Sequence, residues 1–392
     1  METTPLLSLG VLGASSKENE HRRPIHPRHF DRIDPELRSR ITLDTGYGRR
    51  FGVHDEQLRG QVGGILPRDE VIASCDVILL PKPTLADVEQ LRDGQILWGW
   101  PHFVQDPVLT QLAVDKRLTL IAWEAMNYWS TSGSFIVHVF HLNNEIAGYA
   151  SVMQAMTLAG FTGTYGRKRR AVVLGFGNTG RGAVRALEAL GCQEVVVLTM
   201  RDIHTVASPM ASTVLGGMQR DPDDPRRVDV LTSAGLRPAA EFLAEFDIVV
   251  NCVMQDTDAP LMFVEGSEID AFAPGSLIVD VSCDAGMGFD FARPTTFEDP
   301  MFEVGDTVHY YAVDHSPSYL WESATWDISE AIIPFLEPVM SGPATWDLDP
   351  TLSKAIEIRN GVIQNPKILS FQNRAAEHPH EVAGDPPRDP RG

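Results

Sequence analysis

Cysteine is scarce in this chain: four residues in 392, at positions 75, 192, 252 and 283. They lie far apart, and no cysteine or histidine stands near any of them at ligand spacing. A disulfide framework and a structural zinc site are therefore excluded as organising features. Basic charge is also short, with 33 Lys and Arg against 53 Asp and Glu and a formal net charge of -20. Such a surface repels phosphate polymers and anionic headgroups, so neither a nucleic acid nor a membrane is an expected partner. Long apolar runs are missing too. None reaches the roughly 20 residues of a membrane helix, and the N-terminus, METTPLLSLG, carries an acid where a secretory leader carries bases. A cytosolic location is expected. Histidines do occur in groups, His21, His26 and His29 in one and His138 and His141 on one face of a possible helix. No carboxylate or cysteine completes either group at a familiar spacing, and no metal is expected.

What is present fits a soluble two-domain α/β protein, since 43% hydrophobic content over 392 residues suffices for two cores. Apolar strands SLGVLG, VILLP (77–81), ILWGW (96–100) and LTLIAW (118–123) alternate with polar helical stretches over the first 130 or so residues, the pattern of a parallel sheet. NNEIAGYASVMQAMTLAG then reads as a long helix, capped by Asn143 or Asn144, with Glu145 in its first turn. From residue 170 a βαβ unit begins, followed by buried strands DIVVNCV (247–253) and LIVDVS (277–282). The expected architecture is a doubly wound, Rossmann-type parallel sheet, residues 143–315, inserted into an α/β substrate domain, residues 1–142. Residues 316–374 are expected to be helices returning to the first domain, including one near 350–362. Residues 375–392 are too polar to offset ordering entropy and are expected to be disordered. Residues 207–230, rich in glycine, proline and clustered charge, read as a long loop or insertion.

The clearest motif is AVVLGFGNTGRGAVRALEALGCQEVVVLTMRD, residues 171–202. A buried strand enters Gly175, Gly177 and Gly180; a helix with apolar residues at 183, 184, 187 and 190 follows, and then a second strand. In a dinucleotide fold the first glycine makes the tight turn, the second admits a pyrophosphate, and the third lets helix and strand pack. The helix N-terminus, here with Asn178 and Thr179, meets the anion. The acid that normally ends the second strand and holds a free ribose is absent. Thr199 stands there, with Arg201 two residues on, a pair suited to a 2'-phosphate. NADPH is therefore expected over NADH, the plainer alternative being that Arg201 is a solvated charge beside Asp202.

Four other positions stand where chemistry needs them. Arg22 or Arg23, in SSKENEHRRPIHP, can take a carboxylate in a bidentate grip. Lys82 follows the strand of LLPKPT, His102 follows that of WGWPHF, and Asp284 follows LIVDVS; the carboxyl ends of parallel strands form the ligand edge. Singly, each has an ordinary reading as a surface charge, a snorkelling chain, a core histidine or a turn cap. Together, a carboxylate clamp, two proton-transfer groups and a nicotinamide site match reduction of a 2-oxo acid or its imine.

From residue 8 to about 340 the chain resembles the family of alanine dehydrogenases and nicotinamide nucleotide transhydrogenase domains, most closely its branch of N5-(carboxyethyl)ornithine synthases. The resemblance rests on KENEHRRPIHP, LLPKPT, WPHF, IAWEAM, FHLNNEIAGYASVMQAM, VLGFGNTGRGA, LIVDVSCDAGMG and YYAVDHSPSYLWESATWDISEAIIPFL. It implies that Arg22 of the E-x-R stretch holds the pyruvate carboxylate, Lys82 bonds the carbonyl oxygen, His102 donates and accepts the proton and Asp284 assists. It also implies a homo-oligomer, and it aligns His315 of VDHSP with an asparagine that alanine dehydrogenases place near the nicotinamide. Those enzymes carry an acid after the lysine, where this chain has Pro83, and both differences point away from simple alanine dehydrogenation. The implied reaction is NADPH-dependent condensation of pyruvate with the side-chain amine of ornithine or a lysine-like diamino acid. His309, Asp314, His315, Tyr319 and Trp321 are candidates to meet that amino acid. The alternatives are alanine dehydrogenation by ammonia and, from another class, a non-catalytic NADP-binding sensor.

Overall fold

The computed structural model describes residues 5–202, 213–305 and 307–383. The chain divides into two compact units, one made of residues 1–141 and 321–392, the other of residues 142–320.

The first unit begins with six short strands, β1 (Leu9–Val11), β2 (Ile41–Asp44), β3 (Gly64–Leu66), β4 (Val77–Leu79), β5 (Ile96–Gly99) and β6 (Thr119–Ala122), and a hairpin of β7 (Asn127–Trp129) and β8 (Phe135–His138). β1, β4 and β6 are buried along their whole length, as strands covered on both faces must be, and their unbroken apolar runs follow from that. Leu9, Leu43, Leu79, Trp98 and Ile121 point into one core, which also receives Ile328, Ile332 and Leu336 from the C-terminal segment. Ile78, Leu80, Leu97, Leu120 and Ala122 face the other core.

The second unit opens with the helix His141–Leu158 and contains β9 (Arg170–Leu174), β10 (Glu194–Thr199), β11 (Thr213–Arg220), β12 (Val228–Thr232), β13 (Gly235–Pro238), β14 (Ile248–Asn251), β15 (Met262–Val264), β16 (Leu277–Asp280), β17 (Gly288–Phe289), β18 (Met301–Val304) and β19 (Val308–Tyr311). Its nine-stranded sheet has the order β13-β12-β11-β10-β9-β14-β16-β19-β18. The central six are parallel, with β12, β13 and β18 antiparallel at the edges. Chain order therefore reverses between β9 and β14, the switch point at which doubly wound sheets bind their ligands.

After residue 320 the chain re-enters the first unit through the helix Trp321–Ile332 and adds β20 (Ile356–Arg359) and β21 (Val362–Ile363). The first sheet then reads β21-β20-β6-β5-β4-β1-β2-β3, parallel throughout except that β20 runs against β6 and β21 against β20.

Several local expectations are corrected. The segment expected to be a loop at 207–230 holds β11 and the start of β12, because Thr213–Gly217 pairs in parallel with Val195–Thr199; residues 207–212 lie outside the described residues. The expected helix near 350–362 is one turn, Pro350–Ser353, followed by β20 and β21, since Ile356 and Ile358 alternate with charge as a sheet edge does. The long helix starts at His141, ahead of either asparagine, and His138 belongs to β8. Of the tail expected to be disordered, residues 375–383 fold back: Arg374 bridges Val382, and His380 is fully buried. Residues 384–392 lie outside the described residues.

Candidate active site

In the second unit the turn after β9 carries the nucleotide motif. Gly175 has φ +87° and its N–H donates to Leu198 O at 2.8 Å, a left-handed conformation that disfavours any side chain. A Cβ on Gly180 would lie 2.2 Å from Gly175 O, whereas one on Gly177 would meet nothing within 4 Å. The turn is thus tight on its protein side and open on the other. Gly177 caps the helix Asn178–Ala189, so the first-turn N–H groups, including those of Asn178 and Thr179, are presented to an anion. Two glycines outside the motif position this helix. A Cβ on Gly182 would lie 1.8 Å from Glu145 O, and one on Gly148 would lie 1.9 Å from Thr179 O, so the helices His141–Leu158 and Asn178–Ala189 touch backbone to backbone.

At the end of β10, Thr199 is buried and its Oγ1 accepts the Arg201 N–H at 3.1 Å. The Arg201 guanidinium donates to Phe176 O at 2.6 Å, and Arg181 lies over the Phe176 ring at 4.3 Å. Burial, and then the charge of Arg201, lower the proton affinity of Arg181. Two guanidiniums thus flank the first glycine turn. Arg181 was missed in the sequence, although it occupies the x of G-R-G directly after the motif.

Asp284 is half-buried in the turn after β16, where its carbonyl accepts the Met287 N–H at 3.1 Å. A second acid lies four residues before it. Asp280 is fully buried and accepts from Asn251 Nδ2 at 2.9 Å, Tyr310 OH at 2.5 Å and the N–H groups of Ser282 and Cys283. Burial pushes it up to about 6, against those hydrogen bonds. Its signal was an acid inside the apolar run LIVDVS. His315 is 2% exposed, with Nδ1 2.6 Å from the Asp314 carboxylate and its ring 4.5 Å from that of Phe297. Phe297 also stacks on Tyr319 at 4.1 Å. His309 lies on β19, 3.8 Å from Glu303, and Trp321, in the first unit, lies under Arg50 at 5.3 Å.

The first unit brings Arg22, Lys82 and His102 into one neighbourhood. Arg22 is buried, its Nε and Nη2 held by Glu20 at 2.9 and 2.5 Å, and its guanidinium lies 5.2 Å from the centre of the Trp100 ring. The stretch stays in place because Tyr47 OH accepts the Ile25 N–H at 3.0 Å and donates to Ile25 O at 2.6 Å. Lys82 sits between two prolines after β4; Ser15 donates to its carbonyl, and Asp87 accepts from Ser16 N and Thr84 N at 3.0 and 2.9 Å. His102, two residues past Trp100, is half-exposed and left-handed at φ 53°, a strained setting for a non-glycine residue. Its N–H donates to Glu124 Oε1 at 2.8 Å, and the same oxygen is 3.8 Å from Nδ1. Glu124 also feels the charge of Lys82. Glu20 and Glu124 were both legible as letters, in E-x-R and IAWEAM, but their roles as holders of Arg22 and His102 were not.

A family model described as Alanine dehydrogenase/PNT, N-terminal domain matches residues 12–141, and one described as Alanine dehydrogenase/PNT, C-terminal domain matches residues 144–366. The chain belongs to the alanine dehydrogenase/PNT family. Its dehydrogenases are NAD(P)-dependent oxidoreductases acting on CH–NH bonds, and so is this protein. Among its relatives, the N(5)-(carboxyethyl)ornithine synthase of Clostridium botulinum is 24% identical over 337 residues, covering 83% of this chain and 92% of that one. The alanine dehydrogenase of Methanococcus maripaludis is 24% identical over 377 residues, covering 91% and 90%. Among solved structures, an L-alanine dehydrogenase superposes with a TM-score of 0.72 at 20% identity, over 93% of this chain and 99% of the other. That likeness is one of fold. No helix among the described residues is long and apolar enough to cross a membrane.

Proposed function

We propose that this member of the alanine dehydrogenase/PNT family condenses pyruvate with the side-chain amine of ornithine, or of a lysine-like diamino acid, and reduces the resulting imine with NADPH. The balance is one oxo acid, one amine, NADPH and a proton giving a secondary amine dicarboxylate, NADP and water. The single observation that carries the reading is His102 at the end of β5, its N–H held by a carboxylate, Glu124, that also feels the charge of Lys82.

The fit to a nicotinamide dinucleotide rests on the open side of Gly177 and the backbone N–H groups beyond it. Arg201 and Arg181 beside Thr199 favour the phosphorylated cofactor, because no carboxylate closes β10 to repel a 2'-phosphate. When bound, the cofactor supplies the hydride. The protein supplies the rest. Arg22, held by Glu20 along its Nε–Nη2 edge, is assigned to the pyruvate carboxylate. Lys82 donates to the carbonyl oxygen and stabilises the charge that grows there as nitrogen adds. His102 hands its proton to the departing hydroxyl, and Asp284 is assigned to steady the amine or the leaving water.

The diamino acid is supported by two departures from the alanine dehydrogenases, Pro83 in place of an acid after the lysine and His315 in place of an asparagine, together with the carboxyethylornithine synthases among the relatives. The alanine dehydrogenases at equal identity support the second reading, in which ammonia is the amine. NADPH oxidation measured with pyruvate plus ornithine, lysine or ammonium, with mass spectrometry of the product, separates the two. Turnover with ornithine or lysine and a product one carboxyethyl heavier supports the proposal; turnover with ammonium alone overturns it.

A further inference from the structure

One basic run has no part in the proposed reaction. Arg167, Lys168, Arg169 and Arg170 are consecutive, in a chain whose acids outnumber its bases 53 to 33. They lie in the second unit, where β9 begins, at the end of that strand opposite the glycine turn. A cleft of about 590 Å³ opens there, within the size range of small-molecule sites. Its walls are of three kinds. Met156 and Phe161 are apolar, Thr162 and Tyr165 bring hydroxyls, and Arg167 and Arg169 bring charge.

No acid lines this cleft among the described residues. The neighbouring cleft, of about 460 Å³, shares both arginines but also holds Glu194, Glu245 and Asp247. The run is therefore neutralised from that side alone. Asp247 takes Arg167 Nη2 at 2.5 Å, Arg169 Nη1 at 3.4 Å and the Arg170 N–H at 2.9 Å. One carboxylate thus serves two guanidiniums, and a cationic surplus faces the acid-free cleft.

The cleft is built on fastened backbone. The Gly163 N–H donates to Leu190 O at 2.9 Å, and the Phe161 N–H to Met156 O at 3.2 Å. A Cβ on Gly163 would lie 2.3 Å from Cys192 N, and one on Gly191 would lie 1.9 Å from Thr164 Oγ1. The loop therefore rests against the chain that leaves the helix Asn178–Ala189. Arg169 is held in turn, its guanidinium 4.2 Å from the centre of the Phe161 ring. Thr162 Oγ1 accepts the N–H groups of Thr164 and Tyr165 at 3.3 and 3.2 Å, which leaves its O–H to donate. Tyr165, by contrast, is 80% exposed, an aromatic face left in solvent beside two arginines.

We propose that this cleft binds a phosphate monoester carrying a flat ring, a ligand of mononucleotide kind, with its phosphate on Arg167 and Arg169 and its ring against Tyr165. Phosphate suits the site better than carboxylate, because its three acceptor oxygens can meet two guanidiniums and a hydroxyl at once. An exposed aromatic side chain is the usual stacking partner of a base. The site is independent of the amine that the protein condenses.

Calorimetric titration of the full-length protein, saturated with NADPH so that the glycine turn is filled, tests this with AMP, inorganic phosphate and adenosine. AMP is expected to bind at one site per chain, at least about tenfold more tightly than either of the others. Arg167→Gln should weaken AMP by about tenfold, the loss of one charge-assisted contact. Tyr165→Ala should weaken AMP by about fivefold or more and leave phosphate within about twofold. The Arg167 side chain is 61% exposed and Tyr165 is more so, so neither variant threatens the fold. Arg201→Ala, at the glycine turn, should leave AMP binding within about twofold of wild type. Absence of AMP binding, phosphate or adenosine binding as tightly as AMP, or an AMP affinity that falls with Arg201→Ala and not with Arg167→Gln, overturns the proposal.

Discussion

In the first unit the residues that follow the central parallel strands are titratable or charged, Lys82 after β4 and His102 after β5, with Glu124 after β6 and Arg22 beside Trp100. In the second unit the matching turn, after β9, is glycine, phenylalanine, glycine, and its polar groups are backbone N–H. The contrast follows from what each edge must receive. A cofactor that brings its own reactive ring asks the protein for shape and for donors to its phosphates. A small oxo acid brings almost no binding surface, so the protein must supply cations and proton carriers at fixed positions.

The largest expected effect lies on the titratable side. His102→Ala should lower kcat/KM for pyruvate by about 10²- to 10⁴-fold, the range for loss of a general acid–base, while NADPH affinity measured by fluorescence titration stays at the wild-type value. Loss of both would mean that the two edges are not specialised as described. Next comes the glycine side. Gly182→Ala puts a carbon 1.8 Å from Glu145 O, a backbone clash that no side-chain rotation relieves. A cost of about 3 kcal/mol is expected, the upper range for overpacking, or a Tm lower by roughly 6–12 °C for a unit of this size. An unchanged Tm would show that the two helices can part. Smaller again is Arg201→Ala. Losing a charge-assisted contact of about 1.5–3 kcal/mol should raise the KM for NADPH by about 10- to 100-fold and leave that for NADH within about twofold. Equal losses for both cofactors would remove the 2'-phosphate assignment.

The sequence carries the glycine side better than the titratable side, for a physical reason. A phosphate-binding turn is local: strand, three glycines, helix and second strand lie within about 30 residues, and all of it was legible at 171–202. The strands of the first unit were legible because β1, β4, β5 and β6 are unbroken apolar runs, whereas β2 and β3 were not, since Ile41–Asp44 and Gly64–Leu66 mix apolar with small and polar residues. The cluster of the first unit is assembled from distant segments. Lys82 and His102 were legible through the strands before them. That Glu124 would seat the His102 N–H depends on the register of β5 against β6, and Glu357 is buried on a strand that was read as part of a helix. Gly148 and Gly182 were ordinary letters until the two helices were seen to cross.

The smallest prediction sharpens the comparison between buried acids of the two units. Glu124 and Glu357 each leave one oxygen without a donor, whereas Asp280 has four donors and still titrates high, at about 6, because it is fully buried. A carboxyl raised above its ordinary value of 3.8 holds its proton more tightly when folded than when unfolded. Its contribution to stability is therefore complete below about pH 4 and is lost as pH rises through 6. Between pH 5 and 8 the wild-type protein should lose about 1–2 kcal/mol from this group, read as a falling denaturant midpoint with an unchanged m-value. Asp280→Asn should start lower at pH 5, because its amide Nδ2 confronts donors that the carboxylate accepted, and should then lose less on going to pH 8. A slope identical to wild type would mean that the donors of Asn251, Tyr310 and the two N–H groups hold Asp280 ionised throughout. Hydrogen bonding would then outweigh burial in the second unit, the reverse of the balance at Glu124 and Glu357.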